Sequence, residues 1–474
     1  MTPGQVGTAL IGLALLLLAG KLVRLHWRAG QNLFLPASIL GGAIGLALGP
    51  DILGGIAGVI FGGDHTLADG LIPADVLGVW SSLPGLMINV VFATLLLGVP
   101  LPRWRRVWHL AGPQLAFGLS LASGQYVLGI LLAVAVLVPV FGLPVMAGAL
   151  IEIGFEGGHG TAAGLQPVFA ELGFSDGADL AVGMATVGVV GGMALGIILV
   201  NWGIRRGHTE VHDASVAAMP LAQRRGLVDA HERPRYAGEM TVRPESIEPL
   251  TLHAGLAGLA ILIGYGLLSL LRWIEAITWG GPDGVALLGA VPLFPLAMIG
   301  GVLVQIGLNR AGYGDLLDRA TMLRLQGLAL DVLIAAAIAS LSLSVIAANL
   351  GPFLLLASVG LAWNIGMFIW VAPRMIPQYW FERGIGDLGQ SMGVTATGLI
   401  LMKIADPDGR SPAYEAFGYK QLVFEPFFGG GLITGLALPV IYHFGPWPLF
   451  AVMVVLLAAS LVLGIGYFGR RDAD

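Results

Sequence analysis

The sequence has no cysteine and few charged residues, and both absences narrow the class of protein. Without cysteine the chain forms no disulfide, no thiolate metal site and no catalytic thiol. Charged residues make up 11% of the chain, against about 25% in soluble domains. The phosphate-binding pattern Gly-x-x-x-x-Gly-Lys-[Ser/Thr] is absent, which disfavours ATP-driven transport within this chain. The net charge of −5 is small and gives no indication of a nucleic-acid partner.

Apolar residues dominate what is present. They make up 56% of the chain, the mean hydropathy is +0.84, and the 72 glycines suit close packing of helices in a membrane. Repeated apolar runs of about 20 residues predict an all-α polytopic membrane protein. We expect spans near residues 5–25, 34–61, 80–99, 113–140, 179–204, 251–271, 286–308, 326–348, 350–372, 422–443 and 447–468.

Two further apolar segments, 143–175 and 381–410, are interrupted by glycine and polar residues. We interpret them as re-entrant hairpins, which return to the side of the membrane that they entered from. With the N-terminus outside and the C-terminus cytoplasmic, this interpretation puts every basic cluster on the cytoplasmic side, as membrane proteins prefer. The clusters are Lys21, Arg24 and Arg28; Arg103, Arg105 and Arg106; Arg205 and Arg206; Arg310, Arg319 and Arg324; Arg374 and Arg383; and Arg470 and Arg471.

The two halves of the chain resemble each other. Pro36 precedes the pair Gly41-Gly42 by five residues, and Pro295 precedes Gly300-Gly301 in the same way. The hairpins carry Thr161-Ala-Ala-Gly-Leu and Thr395-Ala-Thr-Gly-Leu in the same order. Because each unit has five spans and one hairpin, the second unit must be inverted relative to the first, a pattern typical of secondary transporters. The predicted domains are a first repeat (1–204), a cytoplasmic linker (205–250), an inverted second repeat (251–444) and an extra C-terminal helix with its tail (445–474).

Ionisable residues inside a membrane are costly and usually mark an ion or substrate pathway. Glu152, Glu156 and His159 follow one another at spacings of four and three, which places them on one face of a helix. We interpret Glu152, Glu156 and Asp331 as ion-coupling groups. Structural pairing of His159 with a glutamate, a loop at the membrane surface and the Glu-x-x-His element of metal sites remain alternatives.

The hydroxyl groups of the two hairpins are candidate ligands for a cation. Thr161, Thr395 and Thr397 supply hard oxygen donors, so we predict that Na⁺ binds at these residues. Arg383, near the cytoplasmic side of the second hairpin, is expected to extend its charge to the membrane surface.

The string Gly157-Gly158-His159-Gly160-Thr161, followed by Ala185-Thr186-Val187-Gly188, resembles the bacterial sodium/glutamate symporter family. The Pro36 helix and the pattern Gly393-x-Thr395-x-Thr397 are also similar to that family, across roughly residues 5–444. The resemblance implies inverted repeats, Na⁺-coupled glutamate uptake across the bacterial inner membrane, a homodimer and an elevator-like movement. It implies that substrate is bound by Gly157, Gly158, His159, Gly160, Thr161, Gly393, Thr395 and Thr397.

Three functions therefore remain open. The leading hypothesis is a Na⁺-coupled secondary symporter of a small carboxylate such as glutamate, with no enzymatic activity and no cofactor besides the coupling ion. The first alternative is an H⁺-coupled transporter of another organic solute that uses Glu152, Glu156 and His159. The second alternative is an intramembrane enzyme that holds a metal at the same residues.

Overall fold

The computed structural model describes residues 2–63, 65–99, 104–210, 221–228, 238–280, 288, 291–407 and 409–470, which form helices and loops without a strand. Ten helices in this part of the chain are long and apolar enough to cross a membrane. The prediction of an all-α polytopic membrane protein is confirmed at that level. Arg103, Arg471 and much of the predicted linker, residues 211–220 and 229–237, lie outside the described residues.

The first half of the chain contains four long helices, three short ones and then a fifth long helix, besides one further short helix, Arg28–Asn32, after the first. In order they are α1 (Pro3–His26), α2 (Ala37–Phe61), α3 (Ala74–Leu95), α4 (Trp104–Leu132, continued by further turns to Phe141), α5 (Val145–Phe155), α6 (Gly158–Gly164), α7 (Gln166–Glu171) and α8 (Asp176–Arg206). The short helices α5 to α7 occupy the segment that we predicted as the first hairpin.

The second half has the same order of long helices but differs near its end. Its helices are α9 (Pro249–Thr278), α10 (Leu293–Arg310), α11 (Arg319–Ala339), α12 (Leu350–Met375), α13 (Trp380–Ala405), α14 (Ala413–Phe424), α15 (Leu432–Phe444) and α16 (Pro446–Phe468). Polar caps set boundaries that hydropathy misses. Asp318 accepts hydrogen bonds from the backbone N–H groups of Ala320 and Thr321, so α11 begins at Arg319, ahead of the predicted span 326–348.

The predicted span 422–443 is wrong. Helix α14 ends at Phe424 and α15 begins at Leu432, so the chain is non-helical across Glu425–Gly431. Pro426 and three consecutive glycines lie in this stretch, and proline and glycine both weaken a continuous helix. Gly429 and Gly430 have positive φ values of 68° and 104°, which suit glycine. The fifth long helix of the second half is therefore broken in two.

The glycine pairs noted in the sequence make matching contacts in the two halves. A Cβ atom at Gly41 would lie 2.6 Å from the carbonyl oxygen of Leu16, in the first helix of the same half. A Cβ atom at Gly300 would collide with the carbonyl oxygen of Ala260, which is likewise in the first helix of its own half. Both glycines are therefore required for α2 to approach α1 and for α10 to approach α9.

The second glycine of each pair faces the other half of the chain. A Cβ atom at Gly42 would lie 3.0 Å from the carbonyl oxygen of Ala335 in α11. A Cβ atom at Gly301 would lie 2.5 Å from the carbonyl oxygen of Ala93 in α3. Helix α2 therefore packs on α11, the third helix of the second half, and α10 packs on α3, the third helix of the first half. The first three helices of both halves thus form one group.

A second group contains the remaining long helices. Buried apolar side chains of α4, α8, α12, α13, α14 and α16 share one cluster, separate from the clusters of the first group. A larger cluster, which includes Ile88, Phe92, Phe294 and Leu333 of the first group, joins the two groups. We call these the scaffold group (α1–α3 and α9–α11) and the hairpin group (α4–α8 and α12–α16).

The described linker residues bring several loops to one end of the bundle. Lys21 donates a hydrogen bond of 2.9 Å to the carbonyl of Gly226. The backbone N–H of Tyr379 donates to the carboxylate of Glu210 at 2.9 Å, and Gly238 lies against the start of α11. Loops that adjoin the predicted basic clusters therefore meet at the same end of the molecule.

Candidate functional site

The first break in a helix separates α5 from α6. Glu156 and Gly157 keep helical backbone angles, and the helix breaks at Gly158, which has a φ of +68°, a left-handed value that glycine adopts without strain. Glu152 and His159 therefore lie on different helical segments, and the predicted common face of Glu152, Glu156 and His159 does not form.

The second break lies inside α13. Gly393 and Val394 leave the helical conformation, and Val394 has φ 64° and ψ 171°, a region that is costly for any residue with a branched side chain. The chain then folds back on itself. A Cβ atom at Gly389 would lie 2.7 Å from Cα of Gly398, and one at Gly386 would lie 2.6 Å from the sulfur of Met402. The two arms of α13 therefore lie side by side.

The two breaks touch each other. A Cβ atom at Gly158 would overlap the side chain of Val394. Gly188 of α8 supports both breaks, because a Cβ atom there would clash with the carbonyl oxygen of Met392 and lie 2.9 Å from the ring of Phe155. Residues that are 236 positions apart in the sequence thus form one contact between two interrupted helices.

The third break, Glu425–Gly431, links the other two. Thr395, which follows the second break, donates to the carboxylate of Glu425 at 2.7 Å. Thr161, which follows the first break, donates to the carbonyl of Gly429 at 3.5 Å. The backbone N–H of Gly429 in turn donates to Glu152 at 3.2 Å. The predicted residues Thr161 and Thr395 are therefore joined through a segment that we had expected to be helical.

A cavity of about 790 Å³ lies between the scaffold group and the hairpin group. The scaffold group contributes apolar side chains of α2, α3 and α11 together with Asp331 and Arg319. The hairpin group contributes all three breaks. Of the predicted substrate-binding and ion-coupling residues, the cavity is lined by Glu156, Gly157, His159, Gly160, Asp331, Gly393, Thr395 and Thr397. The structure thus brings most of them to one space.

Glu152 has a complete set of hydrogen-bond donors and lies behind the cavity wall. One oxygen accepts from the hydroxyl of Tyr126 at 2.6 Å, and the other accepts from the hydroxyl of Thr434 at 2.7 Å and from Gly429. Because these donors occupy both oxygens, the carboxylate fixes the third break against α4 and α5.

Glu156 is buried in a different environment. Only 2% of it is exposed, and neither carboxylate oxygen accepts a hydrogen bond from the described residues. The charges of Lys420 and Asp387 act on it, and the hydroxyl of Ser391 is a side-chain donor beside it. Lys420 and Asp387 are both fully buried, and their nearest charged atoms are 3.5 Å apart. Sequence reasoning missed this buried pair, which lies on α13 and α14.

Lys420 has two further favourable contacts. Its ammonium group donates a hydrogen bond to the side-chain oxygen of Gln390, and it lies 3.9 Å from the centre of the Phe424 ring. A ring face attracts a cation, particularly where water is excluded. Gly118 of α4 leaves the space for this side chain, since a Cβ atom there would lie 2.6 Å from Cε of Lys420.

His159 contacts the hydroxyl of Thr186 through Nε2 at 3.0 Å. The sequence strings that contain these two residues are therefore adjacent in space, although they are separated by 27 positions. Thr397 donates to the carbonyl of Gly393 and closes the turn at the second break. Among the described residues, His, Asp and Glu side chains form no cluster of three that could hold a metal, so the enzyme hypothesis gains no support.

The prediction that Arg383 reaches the membrane surface is wrong. Arg383 is 5% exposed and donates to the side chain of Gln114 at 3.2 Å and to the carbonyl of Leu110 at 2.7 Å. These bonds satisfy the guanidinium inside the protein, at the start of α13, and tie α13 to α4.

No protein-family model matches the chain, and no curated protein is significantly similar to it. The fold and the site therefore define the chain as a multi-pass helical bundle with three interrupted helices around one cavity.

Proposed function

We propose that this protein is a secondary active transporter that couples the movement of Na⁺ to that of a small organic solute. The observation that carries the proposal is the contact between two interrupted helices, Gly158 against Val394, at the wall of a 790 Å³ cavity. Interrupted helices that meet inside a membrane protein supply free backbone groups for a solute and its coupling ion. If such non-helical backbone faced lipid, its N–H and C=O groups would lack hydrogen-bond partners, which is energetically costly.

An inverted repeat and two re-entrant hairpins are part of the proposal. The matching contacts of Gly41 with Gly300 and of Gly42 with Gly301 support the repeat. The antiparallel arms of α13 support the second hairpin. In this arrangement the first hairpin enters from the outside and the second from the cytoplasmic side.

An elevator-like movement fits the division of the helices. The cavity separates the scaffold group from the hairpin group, and all three breaks belong to the hairpin group. Displacement of the hairpin group along the scaffold group would carry the cavity across the membrane without changing the three breaks. The homodimer, the bacterial inner membrane and an outside N-terminus complete the proposal on the strength of the resemblance and the basic clusters.

The solute that we propose is a small carboxylate such as an amino acid. Counterflow in proteoliposomes tests this, with a panel of radiolabelled amino acids and dicarboxylic acids and with Na⁺ replaced by K⁺ or choline. We expect Na⁺-dependent uptake of one class of solute. Thr395→Val removes a cavity hydroxyl that is bonded to Glu425 and should reduce uptake. Thr8→Val removes an exposed hydroxyl of α1 and serves as the matched control.

Two results would contradict this proposal. Uptake that is unchanged when Na⁺ is replaced but is abolished by a protonophore would indicate coupling to H⁺ instead of Na⁺. Absence of counterflow for every solute of the panel would remove carboxylate transport from consideration.

The inverted arrangement has a separate test, which uses the lack of cysteine in the chain. Single cysteines at the exposed positions Ser175 and Gln378, labelled with an impermeant reagent in intact cells, should react from opposite sides of the membrane. Labelling of both from the same side would contradict the inverted repeat.

A further inference from the structure

Four buried oxygen atoms beside the second break accept no hydrogen bond from the described residues. They are both carboxylate oxygens of Glu156, the hydroxyl oxygen of Ser391 and the side-chain oxygen of Gln125. Ser391 and Gln125 are completely buried. Buried polar atoms nearly always have a partner, so a group of four unpaired oxygens indicates that something positive belongs there.

These oxygens belong to one place in the fold. The hydroxyl of Ser391 lies beside Glu156, and Gln125 donates to the carbonyl of Ser391 at 2.8 Å. Asn364 donates to the same carbonyl at 2.9 Å. Gly158, two residues after Glu156, contacts Val394, three residues after Ser391. Residues of α4, α12 and the second break therefore meet at Ser391, beside the first break.

The charges around this group do not balance. Lys420 and Arg383 both act on Asp387, and Lys420 also acts on Glu156 and Glu425. Arg319 acts on Glu425, and Glu152 is held by three hydrogen-bond donors of its own. If all four carboxylates were ionised, they would face three cations, which leaves one negative charge in a buried place. An uncompensated buried charge is too costly to persist, so Glu156 must either take up a proton or bind a further cation.

We infer that Glu156 and Ser391 form a Na⁺ site, with the side-chain oxygen of Gln125 beside it. A proton would remove the charge of Glu156 alone. A hard monovalent cation supplies the missing charge and also engages the hydroxyl oxygen of Ser391 and the side-chain oxygen of Gln125. Thr395 and Thr397, which we predicted as ligands from the sequence, donate to Glu425 and to Gly393 and are not among the unpaired oxygens. The inference deepens the proposed function, because it locates the coupling ion.

Sodium binding can be measured without transport. The apparent unfolding temperature of the purified full-length protein is recorded in NaCl, KCl and choline chloride at constant ionic strength. Saturating Na⁺ should raise this temperature by several degrees, because a ligand that binds only the folded state stabilises it. For Glu156→Gln the Na⁺ concentration at the half-maximal shift should rise at least about tenfold, because a charged ligand is lost.

Ser391→Ala is the second variant, because it leaves the charge unchanged. The half-maximal Na⁺ concentration should rise about threefold to tenfold when one oxygen ligand is removed. Glu275→Gln, at a buried carboxylate of α9, and Ser123→Ala, at a buried serine of α4, are matched controls that should keep the wild-type response. If Glu156→Gln does not fold, Ser391→Ala alone decides the question.

The outcomes separate this inference from the proposed function. Equal stabilisation by Na⁺ and K⁺, or a wild-type Na⁺ response in Ser391→Ala, overturns the site even if Na⁺-dependent uptake is found. A shift that follows pH between 6 and 8 and ignores Na⁺ assigns Glu156 to a proton and also overturns it. Sodium-specific stabilisation that both variants weaken, without Na⁺-dependent uptake of any solute, supports the site and refutes the transporter.

Discussion

Replacing Lys420 with methionine should destabilise the protein strongly, because it leaves the buried carboxylate of Asp387 without its cationic partner. Both side chains are fully buried and their charged atoms are 3.5 Å apart. Removing one partner of a buried ion pair costs about 3–5 kcal/mol. The same variant loses the contact with the Phe424 ring, which can add to the cost.

A second argument limits the cost. Asp387 can avoid the buried charge by taking up a proton, and an aspartate with the ordinary pKa of about 3.9 pays about 4 kcal/mol for this at pH 7. This cost of protonation lies within the range of about 3–5 kcal/mol expected for loss of the ion pair. The cost of protonation falls by about 1.4 kcal/mol for each unit by which the pH is lowered. The destabilisation by Lys420→Met should therefore be largest at neutral pH and much smaller near pH 5.

The assay is thermal unfolding of the purified protein between pH 5 and pH 8. A loss of about 4 kcal/mol, at a conservative 2 °C for each kcal/mol, lowers the apparent unfolding temperature by about 8 °C. Lys403→Met, at an exposed lysine, is the matched control, and Asp387→Asn in the Lys420→Met background should restore most of the loss. A change of less than about 2 °C, or one that does not shrink toward pH 5, would refute the buried pair.

Three further predictions concern the other parts of the site. Gly158→Ala should reduce transport and stability together, because the residue has a φ of +68° and its Cβ would overlap Val394; a fully active variant would show that the two breaks do not touch. Glu152→Gln should cost about 1–3 kcal/mol of stability and leave the Na⁺ response unchanged, since three donors hold this carboxylate; a tenfold weaker Na⁺ response would assign it to ion binding. Burial tends to raise the pKa of Asp406, but hydrogen bonds from the hydroxyl and N–H of Ser411 outweigh the effect of burial and lower the pKa. The ionised carboxyl therefore stabilises the fold above its unfolded pKa, and this stabilisation is lost as the pH falls through its folded pKa. Asp406→Asn should therefore destabilise at neutral pH and weaken the acid sensitivity of unfolding below about pH 4, and an unchanged acid profile would contradict this.

Hydropathy was sufficient to predict most of the long helices, because burial in lipid requires about 20 apolar residues wherever a helix crosses. It failed at Glu425–Gly431, where apolar residues continue through a stretch that is not helical. Averaged hydropathy does not register the conformation that Pro426 and three glycines impose. The glycine pairs were informative because close approach of two helices excludes any larger residue at the contact.

The cavity residues were partly predictable, because polar groups and glycines at membrane depth are rare. This signal selected Glu156, His159 and Thr395, which do line the cavity. It missed Lys420, although a lysine in the apolar segment 413–424 is the same kind of signal. The predicted span begins at residue 422, so Lys420 falls outside it. The pairing with Asp387 depends on tertiary packing and has no trace in sequence spacing.

The distribution of charge explains why binding and movement could be linked. Glu156 lies at the first break, Ser391 beside the second, and Lys420 on the helix that leads to the third. A cation bound by Glu156 and Ser391 would neutralise Glu156, whose oxygens accept no hydrogen bond from the described residues, and it would join the first two breaks. With the cation absent, the same charge would have to leave the apolar interface before the hairpin group could slide past the scaffold group. The Na⁺ response of Ser391→Ala therefore also tests whether one ion controls the assembly of the breaks.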